Sequence, residues 1–182
     1  MASIDTLRVF LHPDRRRIID HLTAHGPSRV GDIAATLGLQ VGSVSHHLRM
    51  LEREALVERA ADLRTDGRTS WWRNVPKSVS WSVDDFAEDG SAQAVARDME
   101  RANIQYQVDR LAEWKRRAPH APEAWRQAAH SYDYVLRATP EELLALGDAI
   151  ASTIRAWREG IDDDDGADRA AVRMFLHAFP LL

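Results

Sequence analysis

The chain contains no cysteine. Disulfides, thiolate metal centres and cysteine redox chemistry are therefore excluded, and a bacterial cytosol fits as the compartment. Lysine is nearly as scarce: of 24 basic residues only Lys77 and Lys115 are lysine, a bias that suggests GC-rich coding. No run approaches the ~18 apolar residues of a membrane span, so no membrane partner is expected. The opening MASIDTLRVFLHPDRRR lacks a secretion signal's order of basic, then apolar, then small residues. Nucleophile elbow, phosphate loop and dinucleotide fingerprint are all missing. Ser45 and His46 are helix neighbours that do not face each other. No catalytic residue or cofactor is assigned, and an enzyme is not expected.

What is present is a globular composition, 45% hydrophobic and 29% charged over 182 residues, enough for one domain or two small ones. The net charge of −4 argues against a nucleic-acid partner until the chain is divided. Residues 1–80 hold 12 basic against 9 acidic side chains, net +3, and residues 81–182 hold 12 against 19, net −7. Phosphate binding depends on where positive charge sits, so the first half is the nucleic-acid candidate.

Leu7, Phe10 and Leu11, then Ile18 and Leu22, recur at helical spacing around Pro13, which predicts a first full helix over 13–24. Gly26-Pro27 ends it. A short helix follows at 31–37, stopped by Gly38, and a third at 41–53 carries Val44, Leu48 and Leu51 on one face. Two helices joined by Gly38-Leu39-Gln40 form a helix-turn-helix. Leu56–Ala60 and Thr69–Val75 flank Asp66-Gly67, a hairpin signal. A hairpin in that position is a wing.

Residues 77–90 turn polar and acidic, as a linker does. Residues 91–118 predict one helix about 42 Å long, with Val95, Met99, Ala102 and Tyr106 on an apolar stripe suited to dimerisation. A shorter helix follows at 123–130. Tyr132–Arg137 alternates like a strand, Thr139-Pro140 with Glu142 forms a capping box opening a helix to about 159, and Val172–Phe179 reads as a second strand. The predicted class is α+β and mostly helical: a winged helix-turn-helix at 1–76, and a dimerisation and effector-binding module at 91–182 built from the long helix and a strand–helix–strand unit.

Ser45, His47, Leu48 and Leu51, followed by Leu56-Val57, resemble the ArsR family of bacterial winged-helix regulators, whose third helix reads S-x-H-L-x-x-L before a Gly-Leu-Val. His12-Pro13 with Arg16, Ile18 and Leu22 is similar to that family's first helix, and Asp32-Ile33-Ala34 with Leu37-Gly38 to its second. The resemblance covers about residues 5–75 and implies a DNA-binding regulator. Ala55 stands where the family has Gly. A left-handed turn there would cost Ala roughly 1 kcal/mol, so a differently shaped turn is expected. The second half is far longer than the closing helix of the family's small metal sensors.

A recognition helix presents its N-terminal outward residues to the major groove. Those positions are Val41, Gly42, Ser43, Ser45, His46 and Arg49; their hydroxyls, imidazole, guanidinium and methyls suit base edges and phosphates. Arg64 and Arg68 on the wing, and Arg29 before the second helix, are candidate backbone contacts. His47 is expected to be a satisfied, partly buried side chain near the start of the wing. Trp71 and Trp72 should face opposite ways.

His21 and His25 have zinc-binding spacing but no third ligand, and the Asp162–Asp165 run places no ligands where a calcium loop needs them; no metal is assigned. Trp114, Trp125, Tyr132, Tyr134 and Trp157 are candidates for lining an effector pocket or for filling the second module's core. The expected partners are double-stranded DNA and a second copy of the chain, with a small-molecule effector, another protein or dimerisation alone left open for the second half. The competing class is an architectural or constitutive DNA-binding protein without a ligand.

Overall fold

The computed structural model describes residues 3–63, 70–76, 81–162 and 165–181 and divides into two compact units, Met1–Ala112 and Glu113–Leu182. It is mostly helical with one small sheet, as predicted. In the first unit α1 (Ile4–Phe10) is opened by Ser3, whose hydroxyl accepts from the Thr6 amide. The side chain of Arg15 closes it, donating to the carbonyls of Val9 at 2.6 Å and Arg8 at 2.7 Å. These are carbonyls that the last turn cannot satisfy itself.

Helix α2 (Pro13–His25) has Pro13 in its first turn and Gly26 after its end. Helix α3 (Val30–Leu37) stops at Gly38, whose φ of 66° is left-handed. Helix α4 (Val41–Arg53) completes the helix-turn-helix. Each amphipathic helix turns its apolar side inward. Ile18, Ile33, Val44, Leu48 and Leu51 are fully buried and form one core with Leu22, Leu56, Val57 and Trp72.

Strands β1 (Ser28–Arg29), β2 (Val57–Arg59) and β3 (Trp71–Asn74) form an antiparallel sheet in the order β1-β3-β2. Trp72 stands opposite both Ser28 and Arg59, and bonds from the Ala60 amide to Trp71 and from the Val75 amide to Leu56 extend the ladder. Trp72 is buried and Trp71 half-exposed, as strand alternation requires. The Asp66-Gly67 turn lies outside the described residues.

Between α4 and β2 the chain turns on Ala55, whose φ is 52°. The expectation of a differently shaped turn is corrected: Ala adopts the left-handed form. The Leu56 amide bonds to the Leu51 carbonyl at 3.0 Å, and Leu51, Leu56 and Val57 are core residues, so packing on both sides holds the strained residue.

Helix α5 (Gly90–Arg117) is capped by Asp89, whose carboxylate accepts from the amides of Ser91 and Ala92. Ala96 is fully buried. The Arg16 guanidinium reaches Asn103 and lies 4.2 Å from the Tyr106 ring centre, and the Tyr106 hydroxyl donates to Asp20 at 3.0 Å. Tyr106 is therefore engaged within its own chain.

In the second unit α6 (Glu123–Ala128) is followed by α7 (Pro140–Glu159). Thr139 and Glu142 form the predicted capping box, each side chain bonded to the other's amide. The predicted strands at 132–137 and 172–179 do not form: no described residue from 113 to 182 is in a strand, and none is buried. Strand structure needs a ladder partner, and the single chain supplies none here. No helix among the described residues is long and apolar enough to cross a membrane.

Ala55→Gly should raise stability by up to about 1 kcal/mol, since relief of the left-handed strain exceeds the added flexibility of the unfolded chain. Urea denaturation would show the midpoint rising at unchanged slope. A lower midpoint would mean that the turn is not strained.

Candidate nucleic-acid interface

The outward side of α4 is set by its inward side. With Val44, Leu48 and Leu51 fully buried, Val41, Gly42, Ser43, His46 and Arg49 are exposed and Ser45 is half-exposed. Five of these six sit in the first two turns, the part of a recognition helix that meets base edges. The Arg49 side chain lies along the helix, donating to the Ser45 carbonyl at 3.1 Å.

Arg29 precedes α3 and is committed within the chain. It makes a two-pronged contact with Asp32 at 2.8 and 3.2 Å and lies 5.5 Å from the Trp71 ring centre. A phosphate contact would have to compete with Asp32. Arg64 and Arg68 fall outside the described residues.

His47 is partly buried, with its side chain 13% exposed, but not where expected. Its ring lies 4.9 Å from that of His12, and its Nε2 is 4.0 Å from Asp14, at the start of α2. Position 47 falls beside the buried line of 44, 48 and 51, and α4 packs across α2, so the ring meets α2 before the wing. Nor is it fully satisfied: its buried Nδ1 has no partner among the described residues.

His12, Asp14 and His47 each bring a donor atom within 4.8 Å of the others, a trio that sequence spacing does not reveal because residue 47 is distant in the chain. The geometry does not favour a metal. The His12 Nδ1 accepts the Asp14 amide as the cap of α2, at 3.2 Å. A metal on Nε2 would require a proton on Nδ1 and so break that cap. Ligands about a tetrahedral zinc also stand closer, roughly 3.3 Å apart.

Three histidines are held below their ordinary range. Burial lowers His47 most, with His12 and Arg15 adding to it and Asp14 opposing. Burial and then Arg15 lower His12; burial and then His25 lower His21. The Asp14 contact with His47 is thus too long to offset burial. The His21 and His25 rings stack at 4.5 Å, and neither nitrogen of His21 has a partner among the described residues.

The aromatic side chains that the sequence offers as a pocket lining are largely exposed. Tyr132, Tyr134 and Trp157 are 72%, 71% and 64% exposed, Trp125 is exposed as well, and Trp114 is half-buried. None of the five is buried among the described residues.

Residues 12–59 match the family model of the bacterial regulatory proteins of the arsR family. Those residues are thus similar to the helix-turn-helix of that family. They span α2 to β2 and include His12, His47 and the whole of α4. No curated protein matches the chain. Among solved structures it is similar to reduced HlyU from Vibrio cholerae, at 19% identity over 54% of this chain and 84% of that one, with a TM-score of 0.34. It is also similar to Lactococcus lactis ZitR, at 15% identity over 81% and 83%, TM-score 0.36. A third is the homodimeric winged helix-turn-helix fragment of Mb0332 from Mycobacterium bovis, at 20% over 71% and 85%, TM-score 0.33.

Buried neutral histidines link stability to pH. The unfolded chain takes up protons near pH 6.5 that the native state resists, so stability is full above that pH and falls as pH drops below it. Melting temperature should decline between pH 7 and 5, above the range where carboxylates titrate. His47→Gln should flatten the decline. Equal slopes for variant and wild type would show that His47 is not held neutral.

Proposed function

We propose that the chain is a sequence-specific transcriptional regulator that binds DNA as a homodimer on a near-palindromic site, with α4 in the major groove. The observation carrying this reading is the division of α4 into a fully buried apolar side and an exposed side of Val41, Gly42, Ser43, His46 and Arg49. Small residues at the start allow close approach, and the hydroxyls, imidazole and guanidinium offer donors and acceptors to base edges. Arg64 and Arg68, flanking Asp66-Gly67 in sequence, are the proposed wing contacts to phosphate. Binding of this kind over a promoter represses, which is the mode we assign.

Two copies meet through the outer side of α5. Ile104, Val108 and Leu111 follow one another at intervals of four and three, and are 47%, 54% and 50% exposed. That spacing is an apolar stripe on one side of a helix, distinct from the side that Asn103 and Tyr106 turn toward α2. This proposed stripe stands in place of the sequence-derived set of Val95, Met99, Ala102 and Tyr106.

Ser45→Ala or His46→Ala should weaken binding to a selected site by ~1–3 kcal/mol while leaving non-specific binding nearly unchanged. Footprinting should show one short inverted repeat protected. Uniform protection of any duplex would favour an architectural protein instead.

Val108→Glu should drive the protein toward monomer in sedimentation, because a buried unpaired charge costs on the order of 3 kcal/mol. Tight operator binding should fall with it. A variant as dimeric as wild type would remove α5 from the interface.

A further inference from the structure

The second unit presents a physical problem. Its described residues include no buried side chain, yet Tyr132, Tyr134, Leu136, Val172, Met174 and Phe179 are each 60% or more exposed. Together they leave on the order of 700 Å² of apolar surface in water, close to the roughly 800 Å² per partner that a stable interface buries. Apolar surface of that extent marks a site of interaction.

The segment 131–138 is neither helical nor paired as a strand, but it is laid out like one. The His130 and Tyr132 rings lie 4.8 Å apart, and those of Tyr132 and Tyr134 5.9 Å apart. Alternate residues thus share one side, the period of an extended chain. Continued along the segment, that period assigns Leu136 to the side of Tyr132 and Tyr134, and Ser131, Asp133, Val135, Arg137 and Thr139 to the other. Neither Asp133 nor Arg137 has an ion pair among the described residues.

This sequence is complementary to itself. In an antiparallel pair, registers that keep apolar side on apolar side place residue i opposite a residue of the same parity. Only the register centred on Val135 sets Asp133 of each strand opposite Arg137 of the other. It also sets Tyr134 opposite Leu136, Tyr132 opposite Ala138, and Val135 opposite its own copy. Two ion pairs form at once and the apolar side chains of the two strands become cross-strand neighbours, and the strand ends at Thr139, before Pro140, which has no amide to donate. Such a contact is isologous, as a two-fold dimer requires.

We propose that residues 131–139 form a strand with the same residues of a second copy, in the register centred on Val135, so that the second unit is completed only in the dimer. The strand expected from sequence then exists, but between chains. The inference rests on the homodimer proposed above and is independent of which residues read DNA.

The test uses the chain's lack of cysteine. In the full-length protein Val135→Cys should form an intermolecular disulfide on mild oxidation, because cross-strand neighbours at a two-fold axis lie within disulfide reach. Tyr132→Cys should not, since its copies would stand roughly 20 Å apart. Separately, Asp133→Arg should raise the dimer dissociation constant about tenfold, and adding Arg137→Asp should restore it. Val135→Cys that stays uncrosslinked in a dimer, equal crosslinking at 132, or no rescue by the double exchange would each overturn the pairing. Wild-type protein that sediments as a monomer would overturn the homodimer and the pairing with it, whatever its DNA binding.

Discussion

The burial of Val44, Leu48 and Leu51 against Ile18 and Ile33 is the contact on which the first unit depends. It fixes α4 about its own axis, and so decides which of its residues remain outside. It also sets the start of β2, because Leu56 and Val57 belong to the same core, and thereby the sheet that Trp72 joins. Replacing any one of these fully buried aliphatic side chains by Ala would cost about 2–5 kcal/mol, a large share of a small domain's stability. The exposed side of α4 thus owes its geometry to residues that are themselves buried.

Much of this was legible in the sequence because it is local. Pro13 and Gly26 bound α2, Gly38 stops α3, and Thr139 with Glu142 opens α7; each acts within a few residues. The outward residues of α4 followed from the 3.6-residue period alone. What was not legible depends on distant contacts. Strand β1 has two residues and carries no period; it exists because Trp71 and Trp72 offer their backbone to it. Ala55 takes a conformation that its residue type disfavours because the core on either side outweighs the strain. His47 was placed by the family pattern near the wing, whereas the crossing of α4 over α2 puts it on His12.

The second half shows the same limit more sharply. Alternation along 132–137 correctly marks an extended segment, yet a strand is a property of two segments, and periodicity does not name the second. Aromatic residues likewise mark an intention to be buried without saying against what. A pocket and a core were both reasonable readings of Trp125, Tyr132, Tyr134 and Trp157. All four instead stand exposed in the single chain, which moves the question from what fills the unit to what faces it.

The sheet of the first unit has a different consequence. Strand β3 is its longest and most aromatic, and it lies in the middle, bonded to β1 on one side and β2 on the other. Both flanking strands are charged at their outer ends, with Arg29 on β1 and Glu58 and Arg59 on β2, and they are only two and three residues long. A short, charged edge is a poor template for another chain's backbone. The sticky strand is thus sequestered from intermolecular association, and at high concentration this half of the protein should resist fibrillar aggregation.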